Sequence, residues 1–223
     1  MFEDRREAGE RLAKELLYLA DRDPVVLALP RGGVPIGVEV ARTLGAPLDL
    51  LLVRKIGAPG QPELAIGAVV DGERIDIVVN EEIAATMGLS ASFVRERGKQ
   101  QVEEIERRRR LYLEGRQRYD VRNRTAVVVD DGIATGATVR AALRGVRRRE
   151  PQHLILAVPV APPDTLDSLR SEVDEIVCLE MPFDFGAIGR FYRDFRQLSD
   201  QDVAALLDEA ESTYRDQAAQ SAG

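Results

Sequence analysis

The stretch Val127-Val-Val-Asp-Asp-Gly-Ile-Ala-Thr-Gly-Ala-Thr138 decides the fold. Its three β-branched residues read as a buried strand. Two adjacent carboxylates stand where that strand ends, and a loop of small residues follows. Val139-Arg-Ala-Ala-Leu-Arg-Gly-Val146 then has the apolar spacing of a helix. Backbone N–H groups at a helix N-terminus point outward and carry partial positive charge, so an anion binds there without help from Lys or Arg. Asp130 and Asp131 repel a phosphate but suit vicinal sugar hydroxyls or a hydrated metal ion. Together the parts fit a sugar 5-phosphate. A strand end whose acids merely cap the next helix is the plainer reading, but a cap needs one carboxylate and this turn has two.

Working outward, Val25–Leu29 and Leu48–Val53 are also buried strands, and Val34–Leu44 between them reads as a helix stopped by Gly45. Beyond the central stretch, Pro151 resets the chain. His153–Val158 and Glu175–Leu179 read as strands, with a helix over Asp164–Arg170. Continuous Val/Leu/Ile strands alternating with helices predict an α/β fold, a parallel sheet covered on both faces. Such sheets bind ligands outside the carboxyl ends of their strands. Three loops leave those ends: Pro30-Arg-Gly-Gly33, Arg54-Lys55 and Asp130–Thr138. If their strands are neighbours, the loops converge. Paired glycines then admit an anion close to the backbone, and Arg31 adds a charged fork.

The remaining segments are less regular. Asp4–Ala20 has the spacing of an amphipathic helix. Ile56–Pro62, with two Gly and two Pro, reads as a mobile loop; the wider segment 56–67, with Lys55 and Glu63 as its chemical side chains, is a plain connector or, if the bound sugar phosphate must be kept from water, a closing lid. Ala65–Val70 and Arg74–Val79 form a hairpin around Asp71-Gly72. Asn80 caps a short helix, and Ser90 or Ser92 opens a long charged one running to about Arg118, with a narrow seam of Phe93, Val102, Ile105 and Tyr112. Ser199-Asp-Gln-Asp202 is a capping signature for a last helix over Val203–Glu211. The whole of 1–223 reads as one domain, with 80–118 a helical insert, the aromatic-rich 180–197 breaking the α/β rhythm, and 216–223 a frayed tail.

Composition removes several function classes. No apolar run is long enough to span a membrane, and Met1-Phe-Glu-Asp-Arg-Arg-Glu7 has no signal core, so a cytoplasmic protein is expected. The lone Cys178 sits in an apolar run and reads as an inert thiol, and the lone His153 reads as structural. Neither supports a zinc cluster or a catalytic triad. A net charge of −7 argues against nucleic acid as a partner. Between Phe93 and Arg118 nine Arg/Lys face five Glu, but these alternate at helical spacing, so Arg107–Arg110 reads as a solvated face paired with Glu103, Glu104 and Glu106.

On these residues the chain resembles the type I phosphoribosyltransferases. Val127–Thr138 resembles that family's signature for phosphoribosyl pyrophosphate (PRPP), Leu29-Pro-Arg-Gly-Gly33 its pyrophosphate loop, and Val53-Arg-Lys55 the basic strand end of some members. The resemblance implies a Rossmann-like parallel sheet with a helical insert and a C-terminal hood. It implies transfer of 5-phosphoribosyl from PRPP to a nitrogenous base or amine, with Mg²⁺ held by substrate and water rather than by direct protein ligands. By the same resemblance, Gly132, Ala134, Thr135, Gly136, Ala137 and Thr138 cradle the 5-phosphate. Asp130 and Asp131 accept from the ribose hydroxyls, and Arg31, Gly32 and Gly33 hold the pyrophosphate. Arg31, Lys55, Asp130 and Asp131 carry the chemistry, and the Pro30–Arg31 peptide is expected to be cis. Phe183, Phe185, Phe191 and Tyr192 are the candidate stacking surface for an acceptor base, with packing against the last helix an equal alternative. The other open reading is a PRPP- or nucleotide-binding regulator with little turnover. A homodimer is left open.

Overall fold

The computed structural model describes residues 1–72 and 75–221, without the side chains of Glu63 and Ser221. In chain order the elements are α1 (Arg5–Glu15), β1 (Pro24–Ala28), α2 (Gly33–Leu44), β2 (Leu48–Leu50), β3 (Val53–Ala58), β4 (Gln61–Val70), β5 (Asp76–Val79), α3 (Glu81–Thr86), α4 (Ala91–Leu113), β6 (Thr125–Val129), α5 (Ala137–Arg147), β7 (His153–Val160), α6 (Pro163–Leu169), β8 (Glu175–Glu180) and α7 (Asp200–Ser221). Five of the strands form a parallel sheet in the order β2-β1-β6-β7-β8. The other three form a separate antiparallel sheet, β3-β4-β5.

The apolar strands owe their continuity to burial on both faces. Val26, Ala28, Val127, Val129, Ile155 and Ala157 point into one core beside the apolar residues of α1 and α2. Val25, Leu27, Ala126, Val128, Leu154 and Leu156 point into another beside Val139, Leu143 and Val146 of α5 and Leu166 and Leu169 of α6. A residue period of two sends alternate side chains to opposite layers, so a strand covered twice has no polar position. This is the α/β architecture expected from the sequence.

The second sheet differs from the sequence expectation. The Gly/Pro segment assigned to a mobile loop is a β-hairpin: β3 and β4 pair from Val53↔Val70 to Ala58↔Gln61, with register shifts at Gly57. Here cross-strand pairing overrode the breaker residues. A Cβ at Gly57 would lie 2.5 Å from the Pro62 carbonyl oxygen, so the glycine is what lets the two strands close. β4 and β5 then pair antiparallel as anticipated, although Arg74 lies outside the described residues.

The long helix α4 starts at its Ser90 cap but ends at Leu113, short of Arg118. It buries Val94, Gly98, Ile105 and Tyr112, while Phe93 faces solvent. α7 begins before the predicted Val203, because Ser199 and Asp202 close a capping box over it. It then runs to Ser221, so residues 216–221 are helical where a frayed tail was expected, and 222–223 lie outside the described residues. Among the described residues no helix is long and apolar enough to cross a membrane.

A buried charge network fixes the hairpin to the main sheet. Arg118 donates to Asp49 at 2.9 Å and to Asp71 at 3.1 Å, and Arg109 reaches Asp71 at 3.3 Å. Both aspartates are almost fully buried. Arg107 and Arg108 pair with Glu104, so three of the four arginines in that run are engaged by acids.

Candidate active site

The order β2-β1-β6 makes neighbours of two of the three loops singled out in the sequence, Pro30–Gly33 after β1 and Asp130–Thr138 after β6, whereas Arg54-Lys55 lies within β3 of the other sheet. The amide of Leu29 donates to the Val129 carbonyl at 3.0 Å, tying the end of β1 to the end of β6. The Pro30–Arg31 peptide is cis, as the resemblance implies. The following loop then lies directly on the acidic turn. A Cβ at Gly32 would sit 2.0 Å from Asp131 Oδ2, and one at Gly33 would sit 2.8 Å from the Val129 carbonyl oxygen and 3.0 Å from Asp130 Cα. Glycine at both positions is therefore a packing requirement, independent of any ligand.

The turn after β6 has the form of an anion cradle. Gly136 adopts φ 74° at the cap of α5, a conformation open to glycine, and Ala137 starts the helix. The opening amides of α5 have no intrahelical acceptor and carry the positive end of the helix dipole. Ala134, Thr135 and Thr138 are exposed, while Gly132 is buried at the base of the turn. The Thr165 hydroxyl donates to the Ala134 carbonyl at 2.8 Å, which holds the loop in place from α6.

Two cavities open on this turn. One of about 320 Å³ is lined by Thr135 and Ala137 together with β4, β5 and α3 residues such as Leu64, Ala68, Val78 and Ile83. The other, about 470 Å³, lies between β3 and α4 and reaches Thr138. Arg54, Lys55 and Arg97 line it with Gln100 and Gln101, and among the described residues no carboxylate does. Lys55 stands in β3 opposite Ala68, so the basic strand end belongs to the hairpin rather than to the parallel sheet. The Glu63 side chain lies outside the described residues.

The two acids are not equivalent. The amide of Asp131 donates to Asp130 Oδ1 at 2.9 Å. Burial, and then the adjacent Asp131 carboxylate, push the Asp130 carboxyl well above the usual range. Asp131 is also raised by burial, with Arg5 opposing the shift through a 2.8 Å hydrogen bond to Oδ2.

Arg31, on the pyrophosphate-type loop, faces Asp200 at the start of α7, 3.9 Å away. Asp200 also accepts from the Tyr112 hydroxyl, whose pKa is pushed up to about 12 by burial and by that bond. Arg5 carries no local sequence signal, and Tyr112 and Asp200 stand out in the sequence only as part of a helix seam and a helix cap. Each reaches the site from an element remote in the chain, which spacing arguments cannot see.

The aromatic segment is placed differently from the stacking surface considered for it. Phe185 and Tyr192 are packed into the core, Phe185 against Phe191 at 5.4 Å and Tyr192 between Phe2 and Phe195. The Tyr192 hydroxyl donates to the Asp131 carbonyl at 2.6 Å. Phe183 points to solvent at 93% exposure. No face of Phe185 or Tyr192 is left open for a base, because the N-terminal Phe2 and the chain after β8 close on each other. Cys178, half-buried in β8, is pushed up to about 11 by burial, as expected of an inert thiol. Among the described residues no group of three or more His, Cys, Asp or Glu could hold a metal ion.

Comparison with known proteins shows the family. Residues 4–196 match the model of the phosphoribosyl transferase domain family. Two Mycobacterium tuberculosis proteins, from strains CDC 1551 and H37Rv and provisionally named phosphoribosyl transferases, are each 45% identical over 215 residues, 96% of this chain. The chain spans about half the length of these curated relatives, 48%. The crystal structure of TT1426 from Thermus thermophilus superposes with a TM-score of 0.81 at 42% identity, covering 94% of this chain and 98% of that one. With the signature turn, the glycine loop and the sheet order all in place, the chain belongs to the phosphoribosyl transferase domain family.

Proposed function

We propose that the protein transfers 5-phosphoribosyl from PRPP to a nitrogen nucleophile and releases pyrophosphate. The observation that carries this reading is the seat of Gly32 and Gly33 on the Asp130-Asp131 turn, with the helix-start amides of α5 beside it. One ligand carrying a phosphate, a diol and a pyrophosphate would meet all three. The amides and the Thr135 and Thr138 hydroxyls hold the 5-phosphate. The acidic turn accepts from the ribose hydroxyls. Arg31 swings from Asp200 onto the pyrophosphate, and Lys55 adds charge from the hairpin side.

The bond from C1 to the pyrophosphate oxygen breaks with its electron pair going to pyrophosphate, and the acceptor nitrogen bonds C1 from the opposite face. The proton lost from nitrogen passes to solvent. The chain's own contribution is to position both partners and to stabilise the leaving charge. Mg²⁺ would be held by the substrate's own oxygens and by water, without a direct protein ligand. When bound, the ion neutralises charge developing on pyrophosphate. The cavity between β3 and α4 is our candidate for the acceptor side, its Gln100 and Gln101 carboxamides offering both donors and acceptors.

The test is pyrophosphate release from PRPP and Mg²⁺ with a panel of purines, pyrimidines and small amines. Release dependent on one acceptor, and lost on chelation with EDTA, supports the proposal. PRPP binding without release from any acceptor refutes the transferase and leaves the regulator.

A further inference from the structure

Arg5 is the first residue of α1 and stands 126 positions from the acidic turn in sequence, yet its Nε donates to Asp131 Oδ2 at 2.8 Å. Both side chains are 11% exposed. Its Nη1 donates to the Arg196 carbonyl at 3.0 Å, and its guanidinium lies 3.9 Å over the Phe195 ring. Tyr192 holds the backbone of the same aspartate through its hydroxyl. The N-terminal residues and the segment after β8 are joined behind these contacts. Phe2 N donates to the Phe191 carbonyl at 2.7 Å, Arg193 N to Phe2 at 2.9 Å, and Asp194 N to Glu3 at 2.8 Å. The segment after β8 is therefore braced on the acidic turn.

Asp130 stands in a different situation. Its Oδ1 accepts from the Asp131 amide, and its Oδ2 has no hydrogen-bond partner among the described residues. Two carboxylates on consecutive residues repel each other. Without a cation, one must swing away or take a proton. The Asp131 carboxylate already fills the space that a side chain at position 32 would take. A guanidinium suits this position because one planar fork can bond a carboxylate and a carbonyl while its face rests on an aromatic ring.

We infer that Arg5 is a positioning residue for sugar recognition: it holds the Asp131 carboxylate beneath Gly32 so that Asp130 presents its open oxygen to the ribose diol. Arg5 acts through Asp131 and does not touch the sugar. This inference rests on the PRPP reading above and adds to it a residue outside the signature, with a segment that serves the diol site rather than the acceptor.

The test is calorimetric titration of PRPP with Mg²⁺ into the wild type, Arg5→Met, Arg5→Lys, Asp131→Asn and the double variant Arg5→Met/Asp131→Asn, with circular dichroism confirming the fold of each. Arg5→Met raises the PRPP Kd by about tenfold, the scale of loss when a partner that orients a binding group is removed. Arg5→Lys recovers part of that loss, and the double variant binds no more weakly than Asp131→Asn alone. A folded Arg5→Met chain with wild-type affinity overturns the inference, as do losses that multiply in the double variant. Should Arg5→Met not fold, Phe195→Leu loosens the guanidinium while keeping its charge. A Kd about threefold higher then supports the inference, since lost cation–ring contacts are worth about 0.5–1 kcal/mol, and an unchanged Kd overturns it. A wild-type chain that does not bind PRPP overturns the underlying reading as well, which separates the two failures.

Discussion

Gly32→Ala is the substitution whose outcome follows most directly from the geometry. The new methyl would lie 2.0 Å from Asp131 Oδ2 and 2.4 Å from its Cγ. Ordinary contact needs about 3.5 Å, so about 1.5 Å must be found by moving the loop or the carboxylate. The carboxylate is tethered by Arg5 at 2.8 Å, and a shift of that size breaks the bond. A lost charged hydrogen bond costs about 1.5–3 kcal/mol, and overpacking taken up by the backbone about 1–3 kcal/mol. We expect a net loss of about 2–4 kcal/mol on these grounds, with PRPP binding weakened because the loop and the diol site are displaced together. Urea unfolding followed by circular dichroism measures the first, provided the slope m is unchanged. The same substitution in an Arg5→Met background costs at least about 1 kcal/mol less, because the untethered carboxylate can move aside. A Gly32→Ala loss under about 1 kcal/mol, additive with Arg5→Met to within about 0.5 kcal/mol, would refute the argument that this loop rests on a fixed carboxylate.

Two further outcomes concern the frame around the site. Arg118→Met removes the guanidinium that bridges two buried aspartates, leaving Asp71 with Arg109 alone and Asp49 with backbone N–H donors, and is expected to cost about 3–5 kcal/mol, a fall in Tm of about 6–20 °C for a domain of this size. The Asp71 carboxyl is raised by burial against the pull of Arg118 and Arg109, so its charge opposes folding above its folded pKa and stability returns as pH falls through that value. Without Arg118 that recovery begins at higher pH. Tm measured from pH 8 down to pH 5 checks this, and a variant that loses stability steadily on acidification contradicts it. Separately, the Cys178 thiol, at about 11, is expected to react with iodoacetamide at pH 8 about 100-fold more slowly than free cysteine. Mass spectrometry of the native chain decides the point, and complete alkylation at the free-thiol rate would show that β8 opens.

What the sequence determined by itself is local. Val127–Thr138 announces strand, acidic turn and helix start because each rests on neighbouring residues: β-branched bulk, paired charge, and a glycine able to take φ 74° at Gly136. The apolar strands declare a sheet covered on both faces for the same reason. Ser90, Asn80 and Ser199 mark helix starts through side-chain bonds that span only three residues. The tertiary structure decided everything that depends on remote partners. Ile56–Pro62 became a hairpin because a strand was available to pair with it, against its own turn-forming composition. Tyr192 became core because Phe2 and Phe195 arrive from both sides, and Phe185 became core with Phe191 stacked on it. Arg5 reached Asp131, and Asp200 reached Arg31, across most of the chain. Neighbour-to-neighbour sterics and hydrogen bonding can be read along a chain. The choice of a distant partner depends on how the layers pack, and no short stretch of residues encodes that.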